Sequence, residues 1–188
     1  CDPEDSMHSL FGPALPSQYI AALPVDDGSA VDLDRMLDTH RDIAAVIVEP
    51  LLQGAAGMRM HDVETLRRIR AACDRHGVPL IFDEIFTGFG RLGGMFAATV
   101  SGVTPDIMTL GKALTGGVTP LAATIASRRI YEAFHSDDAT KALMHGPTYM
   151  GHALGCAAAN ASLDLFEQEP RLEQVARIEQ DLKSALEP

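Results

Sequence analysis

The chain has 188 residues, of which 46% are hydrophobic and 22% charged, proportions typical of a globular protein with one sizeable core. Its formal net charge of −11 argues against nucleic acid or an anionic membrane surface as a partner. No apolar run reaches the roughly 20 residues of a membrane span, and the N-terminus has no signal-peptide pattern.

The three cysteines, Cys1, Cys73 and Cys156, are too widely spaced to predict a disulfide framework. Cys73 and His76 have the spacing of half a zinc site, but no second Cys/His pair accompanies them, so we expect a buried thiol and no metal. A reducing cytoplasm is the expected location. The chain begins at Cys1 rather than Met and ends just after a helical pattern, which we interpret as a segment of a longer protein.

Residues 1–30 are rich in Pro, Gly, Ser and Asp and predict an ordered loop or arm. The apolar run Ile43–Val48, which ends in Glu49, is typical of a strand buried on both faces. Asp62 is placed to cap a helix that Gly77 ends. The apolar positions of this helix follow helical spacing at Val63, Leu66, Ile69 and Cys73.

A second apolar run, Leu80–Phe82, follows that helix, and strand, helix and strand at this spacing predict parallel pairing. Further strands are predicted at 107–110 and 121–126, and helices at 151–166 and 171–186. The last helix is predicted to be amphipathic with an acidic outer face. The sequence therefore predicts an α/β fold with a mostly parallel sheet flanked by helices.

Three predicted strands end in groups that can do chemistry, and ligands of open parallel sheets bind beyond these ends. The groups are Glu49, Asp83–Glu84 and Gly111–Lys112. A pyridoxal-phosphate (PLP) enzyme needs a lysine to form a Schiff base and a carboxylate to keep the pyridinium nitrogen protonated. Alone, Asp83 could equally cap a loop, and Lys112 could be a solvated loop lysine. Gly111 and Gly116–Gly117 favour the PLP interpretation, because they allow close backbone approach.

Two other enzyme classes do not match the sequence. A P-loop needs G-x-x-x-x-G-K-[ST], whereas Lys112 is followed by Ala113 and has no glycine at the required upstream spacing. The lysine also follows the acidic strand instead of preceding it. No G-x-S-x-G is present, so a serine hydrolase of the α/β type is unsupported.

The segments Phe82–Gly93 and Pro105–Gly117 resemble the signature of class III PLP-dependent aminotransferases, which have fold type I, the aspartate aminotransferase-like fold. Within that class, Met144–Gly151 and Cys156–Ser162 are most similar to the branch that uses S-adenosylmethionine and 8-amino-7-oxononanoate in biotin synthesis. The opening Cys1–Pro3 also resembles that branch.

The resemblance implies that Lys112 forms the Schiff base with PLP and later carries a proton between the substrate carbon and C4′ of the cofactor. Asp83 would pair with the pyridine nitrogen. Thr148 would bind the cofactor phosphate from the neighbouring subunit, while Gly146 and Pro147 shape that turn and Gly146 also contacts substrate. An active site shared in this way implies a homodimer.

Other positions carry weaker expectations. Glu49 matches a family position near the active site, although a structural salt bridge is equally compatible. Arg91 is expected to be a structural or interface residue, and His145 a packed turn histidine. Phe86 stands where many ornithine-type relatives carry a Gln near the cofactor's 3′-oxygen, and His152–Ala153 replaces the usual Asn-Pro or His-Pro.

The resemblance further implies that residues 1–166 form part of the large PLP-binding domain and that 167–188 form a helix leading toward a C-terminal small domain. The family's phosphate-binding Gly-Ser loop, ring-stacking aromatic residue and carboxylate-binding arginine are not found in this chain, so we expect an incomplete site. Two alternatives stay open: a class III ω-aminotransferase with a different amino donor, and a catalytically incomplete dimerisation module.

Overall fold

The computed structural model describes Phe11 and residues 18–187. Its helices are α1 (Asp27–Thr39), α2 (Val63–His76), α3 (Ala97–Ser101), α4 (Arg128–Phe134), α5 (Ala153–Gln168) and α6 (Arg171–Leu186). Its strands are β1 (Val46–Val48), β2 (Leu52–Gln53), β3 (Arg59–Met60), β4 (Leu80–Asp83), β5 (Ile107–Leu110) and β6 (Ala123–Ala126). Short 3-10 helices span Lys112–Thr115 and Ala139–Lys141.

One sheet contains β1, β4, β5 and β6 in that order. The first three strands run parallel, as the strand–helix–strand spacing predicts. The fourth, β6, runs antiparallel to β5, and β2 pairs with β3 in a separate antiparallel hairpin. The prediction of an α/β fold with a mostly parallel sheet is confirmed.

Helix α2 forms for the reasons that its sequence indicates. The carboxylate of Asp62 accepts a hydrogen bond of 2.8 Å from the N–H of Thr65 and so caps the first turn. Leu66, Ile69 and Cys73 are buried in the core. Gly77 ends the helix with a φ of +68°, a left-handed conformation that glycine adopts without a steric penalty.

The hydrophobic core lies between the α1–α2 layer and the sheet. Phe82, Leu80 and Leu66 are fully buried there. Burial raises the pKa of the Cys73 thiol to about 11, so this thiol is neutral and packs as an apolar group. His76, three residues later, instead places Nε2 3.1 Å from the carboxylate of Asp34 on α1.

The interpretation of residues 1–30 as a loop or arm is wrong at its end, because α1 begins at Asp27. Asp26 accepts a hydrogen bond from the N–H of Ser29, whose hydroxyl in turn accepts one from the N–H of Asp26. Leu33 and Leu37, four residues apart, are buried in the core. The expectation for residues 1–10 and 12–17 lies outside the described part of the chain.

Strand β1 is shorter and more exposed than predicted. Its pairing with β4 covers only Val46–Val48, and Ile47 is 51% exposed. The prediction of burial on both faces is therefore wrong for this strand at Ile47. The strand predicted at 121–126 likewise begins later, at Ala123, where its pairing with Leu110 starts.

The two C-terminal helices lie close to their predicted bounds, and α6 matches 171–186. A β-carbon at Gly90 would stand 3.4 Å from Leu172 and 3.6 Å from Val175, so α6 packs on the loop that follows β4. The apolar Ile178, Leu182 and Leu186 of α6 are exposed. The assignment of 167–188 to a connection with a further domain stays a prediction. Within the described residues, no helix has the length and apolar character to cross a membrane.

A buried carboxylate, Glu84, holds the start of the short helix α3. It is fully buried, and its Oε2 accepts hydrogen bonds from the N–H of Ala97 at 2.7 Å and the hydroxyl of Thr87 at 3.1 Å. Its Oε1 accepts from the N–H of Ala98 at 2.8 Å. All three donors are internal, so Glu84 stabilises the fold by capping the amides that α3 leaves without helical partners.

A second carboxylate, Asp106, ties together four elements at the amino ends of the parallel strands. Its Oδ2 accepts hydrogen bonds from the Leu80 N–H at 2.9 Å and from Arg70 at 2.8 Å, and its Oδ1 accepts one from Arg129 at 2.7 Å. Burial opposes the charged form, but these three donors outweigh it and hold the pKa of Asp106 at about 2.

Replacing Glu84 with Gln should destabilise the protein by about 2 kcal/mol or more, because an amide NH2 would face a backbone N–H in place of an accepting oxygen. The free energy of unfolding, measured by urea titration, tests this. Glu179→Gln, an exposed acid on α6 paired only with Lys183, is the matched control and should change stability little. An unchanged unfolding midpoint for Glu84→Gln would show that the cap is unimportant.

The Asp106 network should make the free energy of unfolding depend on pH in the acidic range. Because the pKa is lowered from 3.8 to about 2 in the folded state, the charged group adds about 2 kcal/mol above pH ~4, and this contribution disappears as the pH falls toward 2. Asp106→Asn should therefore lose stability at pH 7 and show a smaller further loss on acidification. Urea titrations at several pH values, with the exposed Asp181→Asn as control, test the prediction. Parallel pH curves for wild type and Asp106→Asn would contradict it.

Candidate active site

The register of the sheet aligns polar side chains at the carboxyl ends of three parallel strands. Val48 of β1 lies opposite Phe82 of β4, so the next residues, Glu49 and Asp83, follow side by side. Asp83 in turn lies opposite Thr109 of β5. Residues in register on neighbouring strands direct their side chains to the same face of a sheet. The three groups therefore share one edge and one face.

Asp83 is held by two donors that both bind the same oxygen. Its Oδ1 accepts a hydrogen bond from the N–H of Ile85 at 3.1 Å and from the hydroxyl of Thr109 at 3.2 Å. No donor within residues 18–187 bonds to Oδ2. The side chain is half-buried. Asp83 is therefore fixed in orientation and keeps one oxygen available to a ligand. By contrast, both oxygens of the adjacent Glu84 accept hydrogen bonds from within the fold.

Lys112 follows Thr109 by three residues and begins the 3-10 helix just beyond β5. Its φ is +44°, a left-handed conformation that costs free energy for any residue with a β-carbon. Its side chain is exposed and borders an open groove of about 670 Å³, which is also lined by Thr115 and 117–122. Strain of this kind persists where the surroundings impose it, which is common at functional sites.

Of the glycines around Lys112, Gly111 makes the close approach that the sequence predicts, whereas Gly116 and Gly117 are required by their backbone conformation instead. A β-carbon at Gly111 would lie 3.3 Å from Cγ2 of Ile85, which is tight. Gly116 and Gly117 have φ values of +60° and +82°. The backbone next to the lysine thus depends on residues without a side chain.

The ring of Phe86 lies next to two cationic side chains of this site. Nζ of Lys112 lies 5.2 Å from the centre of the Phe86 ring, and Cζ of Arg91 lies 5.1 Å from it, both within cation–π range. On the hairpin side, a β-carbon at Gly54 would stand 2.8 Å from the ring, so only glycine leaves room for Phe86. The expected role of Arg91 as a structural or interface residue stays a prediction.

Glu49 is the least solvated group of the site. It is 7% exposed, and its Oε2 has no hydrogen-bond partner in the described residues. Burial raises the pKa of Glu49, and the negative charge of Asp83 raises it further, while the Gly54 backbone N–H and Lys112 act in the opposite direction. The structure thus brings Glu49, Asp83 and Lys112 into electrostatic contact. No salt bridge to Glu49 forms among these residues.

The turn that contains Gly146, Pro147 and Thr148 has no hydrogen bond to these groups in the described residues. All three residues are exposed, and the turn is closed by a 2.9 Å hydrogen bond from the N–H of Met150 to the carbonyl oxygen of Pro147. No hydrogen bond joins it to Asp83 or Lys112 in the described chain. The roles of these three residues stay predictions. His145 is exposed and is not packed in the turn.

Two functional contacts were not found from the sequence. Thr109 orients Asp83, and the signal for it was its position in β5, three residues before the lysine. His152 caps α5, since its Nδ1 accepts a 3.1 Å hydrogen bond from the N–H of Gly155. This explains how a histidine followed by Ala153, without the usual proline, can begin that helix.

The family model described as Aminotransferase class-III matches residues 1–188. The adenosylmethionine-8-amino-7-oxononanoate aminotransferase of Mycobacterium leprae (strain TN) is 47% identical over 191 residues, which cover 100% of this chain and 44% of that relative. The chain thus spans less than half the length of this curated relative.

Two solved structures share the fold. The adenosylmethionine-8-amino-7-oxononanoate aminotransferase from Methanocaldococcus jannaschii DSM 2661 is 37% identical, with a TM-score of 0.81 over 89% of this chain and 40% of that chain. An amine transaminase from an uncultivated Pseudomonas species, solved with PLP bound, is 40% identical, with a TM-score of 0.73 over 82% of this chain and 36% of that chain. The predicted resemblance and fold are confirmed: the chain belongs to the class III aminotransferase family.

Proposed function

We propose that this chain forms part of the large domain of a PLP-dependent transaminase that transfers an amino group from S-adenosylmethionine to 8-amino-7-oxononanoate in biotin synthesis. The observation that carries the proposal is the pairing of Asp83 and Lys112 at neighbouring strand ends, each with a free functional group. The substrates follow from the likeness to the Mycobacterium leprae and Methanocaldococcus jannaschii enzymes. We place the reaction in the cytoplasm, because Cys73 and Cys156 are free thiols.

The residues present match what PLP requires. Oδ2 of Asp83 is an acceptor without a partner in the described residues, suited to the N–H of a protonated pyridine ring. The amine of Lys112 is exposed toward an open groove and is not held in a salt bridge with any described residue. A carboxylate and an amine with these properties form a donor set that suits the cofactor.

When bound, PLP supplies an electron-accepting ring that stabilises negative charge on the substrate carbon. Asp83 keeps the proton on the ring nitrogen. The Ile85 N–H and the Thr109 hydroxyl keep Asp83 oriented by binding its Oδ1. Nζ of Lys112 would take a proton from the substrate carbon and deliver it to C4′ of the cofactor, and its contact with the Phe86 ring would help to hold the amine in place.

We also propose that two copies of the chain form a homodimer in which Thr148 of one subunit binds the cofactor phosphate of the other. Thr148 is exposed and has no hydrogen bond to Asp83 or Lys112 in the described residues. Large apolar side chains around its turn are exposed to an unusual degree for a solvated loop. They are Leu143 at 62%, Met144 at 87%, Tyr149 at 82%, Met150 at 60% and Leu154 at 74%.

Visible absorbance of lysine-bound PLP should be present in the full-length wild-type protein and absent from Lys112→Ala, because among the described residues only this lysine follows a strand at the edge that carries Asp83. Lys141→Ala, which removes an exposed lysine, is the control and should keep the absorbance. Addition of S-adenosylmethionine should abolish the band, whereas lysine, ornithine and alanine should not.

The outcomes of this titration separate two claims. A band that survives Lys112→Ala would overturn the role of Lys112. A band that disappears only with another amine would keep the aminotransferase and overturn the biotin-pathway substrates, in favour of an ω-aminotransferase.

Subunit mixing tests the shared site. Lys112→Ala and Thr148→Asp should each be inactive as pure dimers, the second because its charge repels the phosphate. A hybrid dimer would contain one intact site, so random mixing should restore about one quarter of wild-type activity. Thr148→Ser mixed with Lys112→Ala is a positive control, since serine retains the hydroxyl. Failure of the mixture to regain activity, with hybrids verified by mass spectrometry, would place Thr148 in the same subunit's site or outside it.

A further inference from the structure

Glu49 has an unusual position for a carboxyl group. It is 7% exposed, and its Oε2 has no hydrogen-bond donor in the described residues. The Gly54 backbone N–H supports a charge on Glu49, but burying an ionised carboxylate that has an unpartnered oxygen is more costly than burying a protonated one. Glu84, by contrast, is fully buried and receives three hydrogen bonds. The two buried glutamates thus differ in how many hydrogen-bond donors reach their oxygens.

Glu49 also has an acidic neighbour. The β1–β4 register carries Glu49 and Asp83 to adjacent positions at the same edge of the sheet. Two carboxyl groups that share a site do not ionise equally, and the proton stays on the one with less support for its charge. Asp83 receives hydrogen bonds from Ile85 and Thr109 and is half-buried. Both acids have one oxygen without a donor in the described residues, but Glu49 is the more buried of the two and only its free oxygen, Oε2, is itself buried.

The titratable groups around Glu49 come from three elements. Asp83 stands at the end of β4, Lys112 follows β5, and His61, before α2, places Nε2 3.1 Å from the backbone carbonyl oxygen of Glu49. Burial and the charge of Asp83 raise the pKa of Glu49, while the Gly54 backbone N–H and Lys112 oppose them, and the net direction is upward. The raised pKa of Glu49 thus agrees with its burial and its position beside Asp83.

We propose that Glu49 is a positioning residue that carries a proton at neutral pH, so that the negative charge at this strand edge resides on Asp83 alone. This inference rests on the proposed function. A charged Glu49 would repel Asp83 and compete with the cofactor for the amine of Lys112. A neutral Glu49 leaves the charge where the pyridine nitrogen needs it and leaves Lys112 free.

Infrared spectroscopy tests the proton directly and needs no cofactor. The cofactor-free full-length protein at pH 7 should show the C=O absorption of a protonated carboxyl group, and Glu49→Gln should abolish it. Glu64→Gln, which removes an exposed acid on α2, is the control and should leave the band unchanged. Absence of the band from the wild type, or its persistence in Glu49→Gln, would overturn the proposal.

Retention of PLP tests the consequence. At pH 7 the PLP dissociation constant of Glu49→Gln should lie within about threefold of the wild-type value, because an amide resembles a neutral acid in size and charge. A tenfold or greater weakening, with an unchanged thermal unfolding midpoint, would show that Glu49 acts as a carboxylate. If the wild type itself retains no PLP, the proposed function falls, while the infrared band still decides the protonation of Glu49.

Discussion

The parallel register of β1, β4 and β5 is the constraint on which the candidate site depends. It places Glu49, Asp83 and Thr109 at one edge, and it makes Lys112 the next charged group beyond that edge. The register is fixed by burial, since a shift of one residue would turn Phe82 away from the core. The Asp106 network reinforces the same alignment from the opposite ends of the strands. The forces that fold the sheet therefore also assemble the chemistry.

The acids of this chain have different roles because their hydrogen bonds differ. Glu84 and Asp106 receive their donors from within the fold, so their charges stabilise structure. Asp83 receives donors on one oxygen only and keeps the other for a ligand. Glu49 has a buried oxygen with no donor in residues 18–187 and is best supported as a neutral acid. Side-chain type alone would not separate these four roles.

Local signals made much of the fold predictable. The cap at Asp62, the stop at Gly77 and the apolar runs of β4 and β5 each act within a few residues, and the structure matches them. Helix α1 was missed because its cap at Asp26 lies in a stretch rich in turn-forming residues. The direction of β6 depends on tertiary packing, which no local pattern encodes. For the site, Asp83 and Lys112 were identifiable from the sequence as strand-end groups. That Glu84 has a structural role while Asp83 can bind a ligand was not predictable, because it depends on α3, which begins thirteen residues beyond Glu84.

The most direct test of the account asks which amine carries the cofactor. The chain has three lysines, Lys112, Lys141 and Lys183, of which only Lys112 follows a strand of the sheet at the edge that carries Asp83. Borohydride reduction of the PLP-loaded full-length protein, followed by peptide mass spectrometry, would locate the phosphopyridoxyl group. The account predicts that, within this chain, the group lies on Lys112 alone. A group found on Lys141 or Lys183, with Lys112 unmodified, would contradict it.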